Sequence, residues 1–122
     1  MSIITLPKAK KTFLTECHIA GRQYYDASEV WDQLKIGTKL HLVADLNNRY
    51  DNTAVAICYQ NPENGEVAHL GYVPRCENSE IFNFLNMGWN EIFECRISKI
   101  SPDSHYEHQL RIIISILKNT NS

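Results

Sequence analysis

The chain has 122 residues, 43% of them hydrophobic and 21% charged, with five glycines and four prolines. Its length and mix fit one compact domain and exclude collagen-like, low-complexity and disordered classes. Twelve Lys and Arg against fourteen Asp and Glu leave a formal charge of -2, so no global positive field gathers polyanions and any nucleic-acid contact has to be local.

Residues 1–12 read as a flexible basic lead, residues 13–117 as the folded domain and residues 118–122 as a polar tail. The first predicted strand is Phe13 to Ala20, closing at Gly21. Ser28 to Lys35 then reads as a short helix, with Ser28 as cap and Val30, Trp31 and Leu34 on one face. Thr38 to Asp45 alternates with the period of two of a half-buried strand: Leu40, Leu42 and Ala44 on one side, Lys39, His41 and Val43 on the other. Ala54 to Tyr59 and Glu66 to Val73 form a predicted hairpin through Asn61-Pro62-Glu63-Asn64-Gly65, whose residues suit a turn.

A second helix is predicted over about residues 77–87, where Ile81, Phe82 and Leu85 make an apolar stripe that stops at Gly88. Phe93, Cys95 and Ile97 alternate with polar residues, and after the Ser101 to Ser104 turn Leu110, Ile112, Ile114 and Ile116 repeat the pattern as a second hairpin. Five or six strands too closely spaced for parallel crossovers, with two short α-helices, predict a mainly β fold: a small antiparallel barrel of the OB-like or SH3-like kind. Trp31 and Trp89, beside helical stripes, read as core residues.

The longest apolar run, Ile112 to Leu117, is far below the roughly 20 residues of a membrane helix. Met1 to Lys11 lacks the layout of a secretory leader. No membrane partner and a cytoplasmic location are expected. Cys17, Cys58, Cys76 and Cys95 contain no CxxC pair and read as reduced, mostly buried thiols. His105 and His108 are the only close histidine pair, so no metal site is expected.

The short motifs of nucleotide, metal and acyl-transfer chemistry are missing, and no cofactor is implied. Cys17 and His18 on one strand point to opposite faces, which defeats a nucleophile-base pair. Glu77 and Glu80 sit where helix-start carboxylates belong. The expectation is a protein that is not an enzyme.

Three segments place aromatic and charged groups where strands meet loops: Ile19 to Tyr25, Leu46 to Ile57, and His69 to Arg75. Tyrosine rings offer flat surfaces on which a base stacks for about 1 to 3 kcal/mol, while Arg22, Arg49 and Arg75 offer planar donors to phosphate. Asp51 is acceptor-only when ionised, opposes a phosphate, and suits a free hydroxyl; it equally suits an Asx-turn into the next strand. Tyr24, Tyr25, Tyr50 and Tyr72 also have a reading that needs no ligand, as half-buried aromatics of the fold.

The order and spacing of these blocks resembles the HIRAN domain, a small module found alone in bacterial proteins and at the front of some DNA-remodelling ATPases. The likeness covers residues 13–117. It rests most on Asn48-Arg49-Tyr50-Asp51-Asn52-Thr53-Ala54-Val55, followed at hairpin distance by Gly71-Tyr72-Val73-Pro74-Arg75. The resemblance implies a β-barrel related to the oligonucleotide-binding type that captures the 3′ end of single-stranded DNA without turnover. By the same resemblance Tyr24 matches a residue of the nucleotide pocket, and Tyr50 and Asp51 match its central aromatic-acid pair. Two positions depart from a DNA-binding member: Tyr72 stands where it has His, and Gln23, beside Arg22, where it has Arg.

The implied partners are a single-stranded DNA 3′ end and a DNA-processing protein, with a repair setting by association. The alternative is a protein-interaction adaptor that uses the same tyrosine and arginine surface, residue types enriched at binding hot spots.

Overall fold

The computed structural model describes residues 3–5, 8–21 and 24–119. Six antiparallel strands make one sheet: β1 (Lys11–His18), β2 (Lys39–Ala44), β3 (Val55–Gln60), β4 (Val67–Tyr72), β5 (Phe93–Ile100) and β6 (Leu110–Leu117), in the order β1-β6-β5-β2-β3-β4. The alternation in β2 holds, with Leu40 buried, Leu42 and Ala44 half-buried, and Lys39, His41 and Val43 exposed. Ile57, Leu70, Ile97, Ile112 and Ile114 form the centre of the core. In β6 the predicted pattern ends early: Ile116 is exposed and Ser115 buried, opposite a bulge in β1 between Phe13 and Thr15.

The sheet is not closed into the expected barrel. Its outer strands meet at a single bridge, Ala20 to Tyr72, where each backbone N–H donates to the other residue's carbonyl at 2.8 and 2.9 Å. Gly21, at φ 71°, turns the chain away immediately after Ala20, so the ladder cannot extend.

Only one α-helix forms among the described residues, α1 (Arg75–Asn86). It starts two residues earlier than the stripe predicts because Pro74, in extended backbone at φ -55° and ψ 145°, is its N-cap; a residue without an N–H costs little there. Its buried face is Asn78, Ile81, Phe82 and Leu85, and its first turn is tied to β1 by the Thr15 hydroxyl, which donates to Glu77 at 3.1 Å.

The other predicted helix is instead two 3₁₀ turns, Asp26–Glu29 and Trp31–Gln33. Val30, at φ -116° and ψ 11°, breaks the helix between them. A segment this short has little cooperativity of its own, and here tertiary contacts decide: Asp26 accepts the His69 N–H at 3.1 Å, while Val30 and Trp31 pack on the core. Trp89, by contrast, is 60% exposed and not core. The four cysteines are free, but only Cys17 and Cys95 are buried; Cys58 is half-buried and Cys76 exposed. Among the described residues no helix is long and apolar enough to cross a membrane.

Candidate functional site

The loop between β2 and β3 is rich in Asn and Asp, and those side chains fix its backbone. Asp45 Oδ1 accepts the Asn47 N–H at 3.3 Å, Asn48 Oδ1 accepts those of Tyr50 and Asp51 at 2.8 and 3.0 Å, and Asp51 Oδ1 accepts that of Thr53 at 3.0 Å. Three successive side-chain turns thus replace the ladder bonds that a loop lacks. The loop closes at its base, where the Asp45 N–H donates to the Ala54 carbonyl at 2.9 Å.

Asp51 is the lock of this loop. Besides the Thr53 N–H on Oδ1, its Oδ2 accepts the Asn78 amide at 2.8 Å, and Arg75 Nε lies 3.6 Å from the same oxygen. The Thr53 hydroxyl is 3.0 Å from both Asp51 Oδ1 and Asn78 Oδ1 and has one proton to give, so the two acceptors share it. Burial alone pushes the Asp51 carboxyl up, but the Thr53 N–H, the Asn78 amide, the Thr53 hydroxyl and Arg75 together outweigh it and hold it below the ordinary carboxylate value. The Asx-turn reading therefore holds, and an ionised carboxylate is left with little free acceptor capacity.

Arg75 braces the same loop from the start of α1. Its Nη2 donates to the Tyr50 carbonyl, while its side chain stays 70% exposed. The Tyr50 ring is 86% exposed, so the half-buried reading fails for it. Arg49 is exposed, and no hydrogen bond or ion pair holds it among the described residues.

Tyr72 reaches this loop from the other side, its hydroxyl donating to Asp45 Oδ2 at 2.6 Å. Its position depends on a bulge in β4: Ile57 faces Gly71 while Cys58 faces His69, leaving Leu70 as the extra residue. Leu70 and Val73 are buried, His69 and Tyr72 half-buried, so the bulge resets the alternation and puts Tyr72 on the face of His69. Gly71 adopts φ 152°, a region open chiefly to glycine.

Tyr25 completes an aromatic cluster, 4.2 Å from the His69 ring centroid and 5.5 Å from that of Tyr72; His69 and Tyr72 are 4.9 Å apart. The His69 ring nitrogen Nε2 lies 2.9 Å from the Gly71 carbonyl, an acceptor, so Nε2 carries the proton. Burial, then the bond to Asp45 and the adjacent Tyr25 hydroxyl, push the Tyr72 phenol well above its ordinary range, so it stays a donor.

Tyr50, Asp51, Arg75 and Tyr72 therefore meet around one loop, with Arg49 on it. Tyr24 is 76% exposed beside Tyr25, and Arg22 and Gln23 lie outside the described residues. Asn78 and Asp45 are site residues that the sequence motifs do not mark, and His69, which opens one of the three segments, has no role assigned to it there. A lone amide in an apolar helical stripe, Asn78 with Ile81, Phe82 and Leu85, is the signal that marks the first.

The family model of the HIRAN domain matches residues 12–116. The chain belongs to the HIRAN domain family. HIRAN domains are nucleic-acid-binding modules. A crystal structure of a protein from Lactobacillus plantarum is similar to this HIRAN chain at a TM-score of 0.70 and 18% sequence identity, over 89% of this chain and 97% of that one; a likeness at that identity carries the fold alone. No curated protein matches.

Proposed function

We propose that this HIRAN domain binds the free 3′-hydroxyl end of single-stranded DNA and does not alter it. The observation that carries this reading is the Tyr50 ring, 86% exposed on a loop whose backbone is already fixed by Asn48, Asp51 and Arg75. The core has no use for such a ring, and a terminal base stacks on it without the cost of ordering the loop. Arg49 and Arg75 supply guanidinium donors for the adjoining phosphate.

Asp51 acts mainly by holding that surface in shape. The acceptor capacity that Thr53 and Asn78 leave on its carboxylate takes a terminal hydroxyl, and the charge of a terminal phosphate opposes it there.

Fluorescence anisotropy with short oligonucleotides that differ only in the terminal group tests this. The 3′-hydroxyl form binds at least about tenfold more tightly than the 3′-phosphate form, a difference of about 1.4 kcal/mol. Equal affinity for the two removes end recognition. Failure to bind either turns the reading to an adaptor whose tyrosine and arginine surface meets a protein.

A further inference from the structure

A trough leads away from the Tyr50 loop. It begins as a cavity of about 400 Å³ that runs from Leu46 along Ala44 and Val43 to Asn86, at the end of α1. His41, Leu42, Leu85 and Asn90 line both this cavity and a larger one of about 1090 Å³, so the two adjoin. Lys8, Lys10, Lys39 and Lys118 line the larger cavity against one acid, Glu91, over apolar groups that include Leu40 and Phe93. Lys10 and Lys118 are brought side by side because the Lys118 N–H donates to the Lys10 carbonyl at 2.8 Å. A third cavity, sharing Asn90, Glu91, Leu117 and Lys118 with the second, extends to Trp89, whose ring is 60% exposed.

Lys8, Lys10 and Lys39 set three like charges along one trough, and in a chain of formal charge -2 average composition does not account for their gathering; a polyanion relieves the repulsion. Lysines along a groove with an exposed aromatic at its end match what a single strand needs, phosphate neutralisation and a π face that accepts any base. The length fits too. From Lys39 to Ala44, β2 rises about 17 Å at about 3.3 Å per residue, which corresponds to about five nucleotides at a stacked spacing of about 3.4 Å.

We propose that the trough carries the body of the DNA strand, on the 5′ side of the end held at Tyr50, with its phosphates on Lys8, Lys10 and Lys39 and a base on Trp89; this rests on the end-binding reading. Contact here is sequence-tolerant and salt-sensitive, whereas contact at the Tyr50 loop reads the terminus.

The test compares a trinucleotide, which reaches only the end site, with a strand of about eight nucleotides, both ending in a 3′-hydroxyl. If the lysines neutralise about three phosphates, the salt dependence of the longer strand is steeper by about 2 in log-log slope, so going from about 50 to 200 mM salt weakens it about 20-fold more than the trinucleotide. The Lys10→Glu/Lys39→Glu double variant, changed at two exposed positions and checked for an unchanged melting temperature, brings the longer strand down to the affinity of the trinucleotide and leaves the trinucleotide unaffected. The longer strand alone quenches tryptophan fluorescence, and Trp89→Phe removes the quench.

Affinity that does not change with length, or a double variant that weakens both strands equally, overturns the trough and leaves the end site standing. Binding of neither strand to the native chain overturns the end-binding reading and this proposal with it. Quenching by polyglutamate as strong as that by the longer strand assigns the trough to an acidic polypeptide and overturns the nucleic-acid assignment.

Discussion

Asn78→Ala tests whether the functional loop is held from beneath by α1. The Asn78 side chain is 1% exposed; it donates to the ionised Asp51 at 2.8 Å and shares the Thr53 hydroxyl proton. Truncation removes one charge-assisted hydrogen bond, about 1.5 to 3 kcal/mol, and leaves a small void. Part of the loss is recovered because the Thr53 proton then serves Asp51 alone. With the void and this recovery offsetting each other, the net expectation is about 1.5 to 3 kcal/mol, which at about 1.5 kcal/mol per M lowers the urea midpoint by about 1 to 2 M. Asn78→Asp discriminates further: it sets a second carboxylate against Asp51, so at neutral pH it costs more than the alanine, and the deficit narrows as the pH falls and one carboxyl of the pair takes up a proton. A midpoint shift below about 0.3 M for Asn78→Ala, or an aspartate variant with no pH dependence beyond that of the native chain, refutes the lock.

Lowering the pH through the depressed Asp51 value removes a stabilisation that is fully present above the unfolded carboxylate pKa of about 3.9; urea midpoints measured against pH show this extra acid loss in the native chain and not in Asp51→Asn. For Tyr72 the sign is reversed. Its raised phenol contributes stability that is complete below about pH 10 and lost as the pH climbs through the folded value, so Tyr72→Phe, which lacks the bond to Asp45, is less stable at neutral pH and has a flatter alkaline limb. Thiol labelling follows exposure: Cys76 reacts first and Cys58 more slowly, while Cys17, which burial pushes up to about 11, and Cys95, pushed higher still by burial, react only on unfolding. Mass spectrometry with and without denaturant gives that order, and early modification of Cys95 contradicts the placement of its strand.

The strands were legible because their chemistry is local. In β2 a period of two sorts Lys39 from Leu40 and His41 from Leu42 without reference to any partner. Asn61 to Gly65 announces its turn in the same way, and Asp51 before Thr53 announces an Asx-turn. What the sequence hides depends on distant pairing. Whether β1 and β4 close a barrel is decided by where Gly21 turns the chain after one bridge to Tyr72. The helix expected after Ser28 yields to contacts with β4, and Trp89 is a surface residue although its neighbours look like core.

The site was half visible. Tyr50, Asp51, Tyr72 and Arg75 are brought together as their motif blocks imply, but nothing local says that Asp51 spends most of its carboxylate on Thr53 and Asn78, or that the bulge at Leu70 turns Tyr72 toward His69.

The most direct measurement is the affinity of Tyr50→Ala and Tyr50→Phe for one 3′-hydroxyl oligonucleotide, with melting curves alongside. Because the ring is 86% exposed, neither change shifts the melting temperature. The loss of base stacking, about 1 to 3 kcal/mol, weakens the alanine variant about 5- to 150-fold, while phenylalanine stays close to the native chain. An alanine variant that binds as tightly as the native protein contradicts a strand end seated on Tyr50.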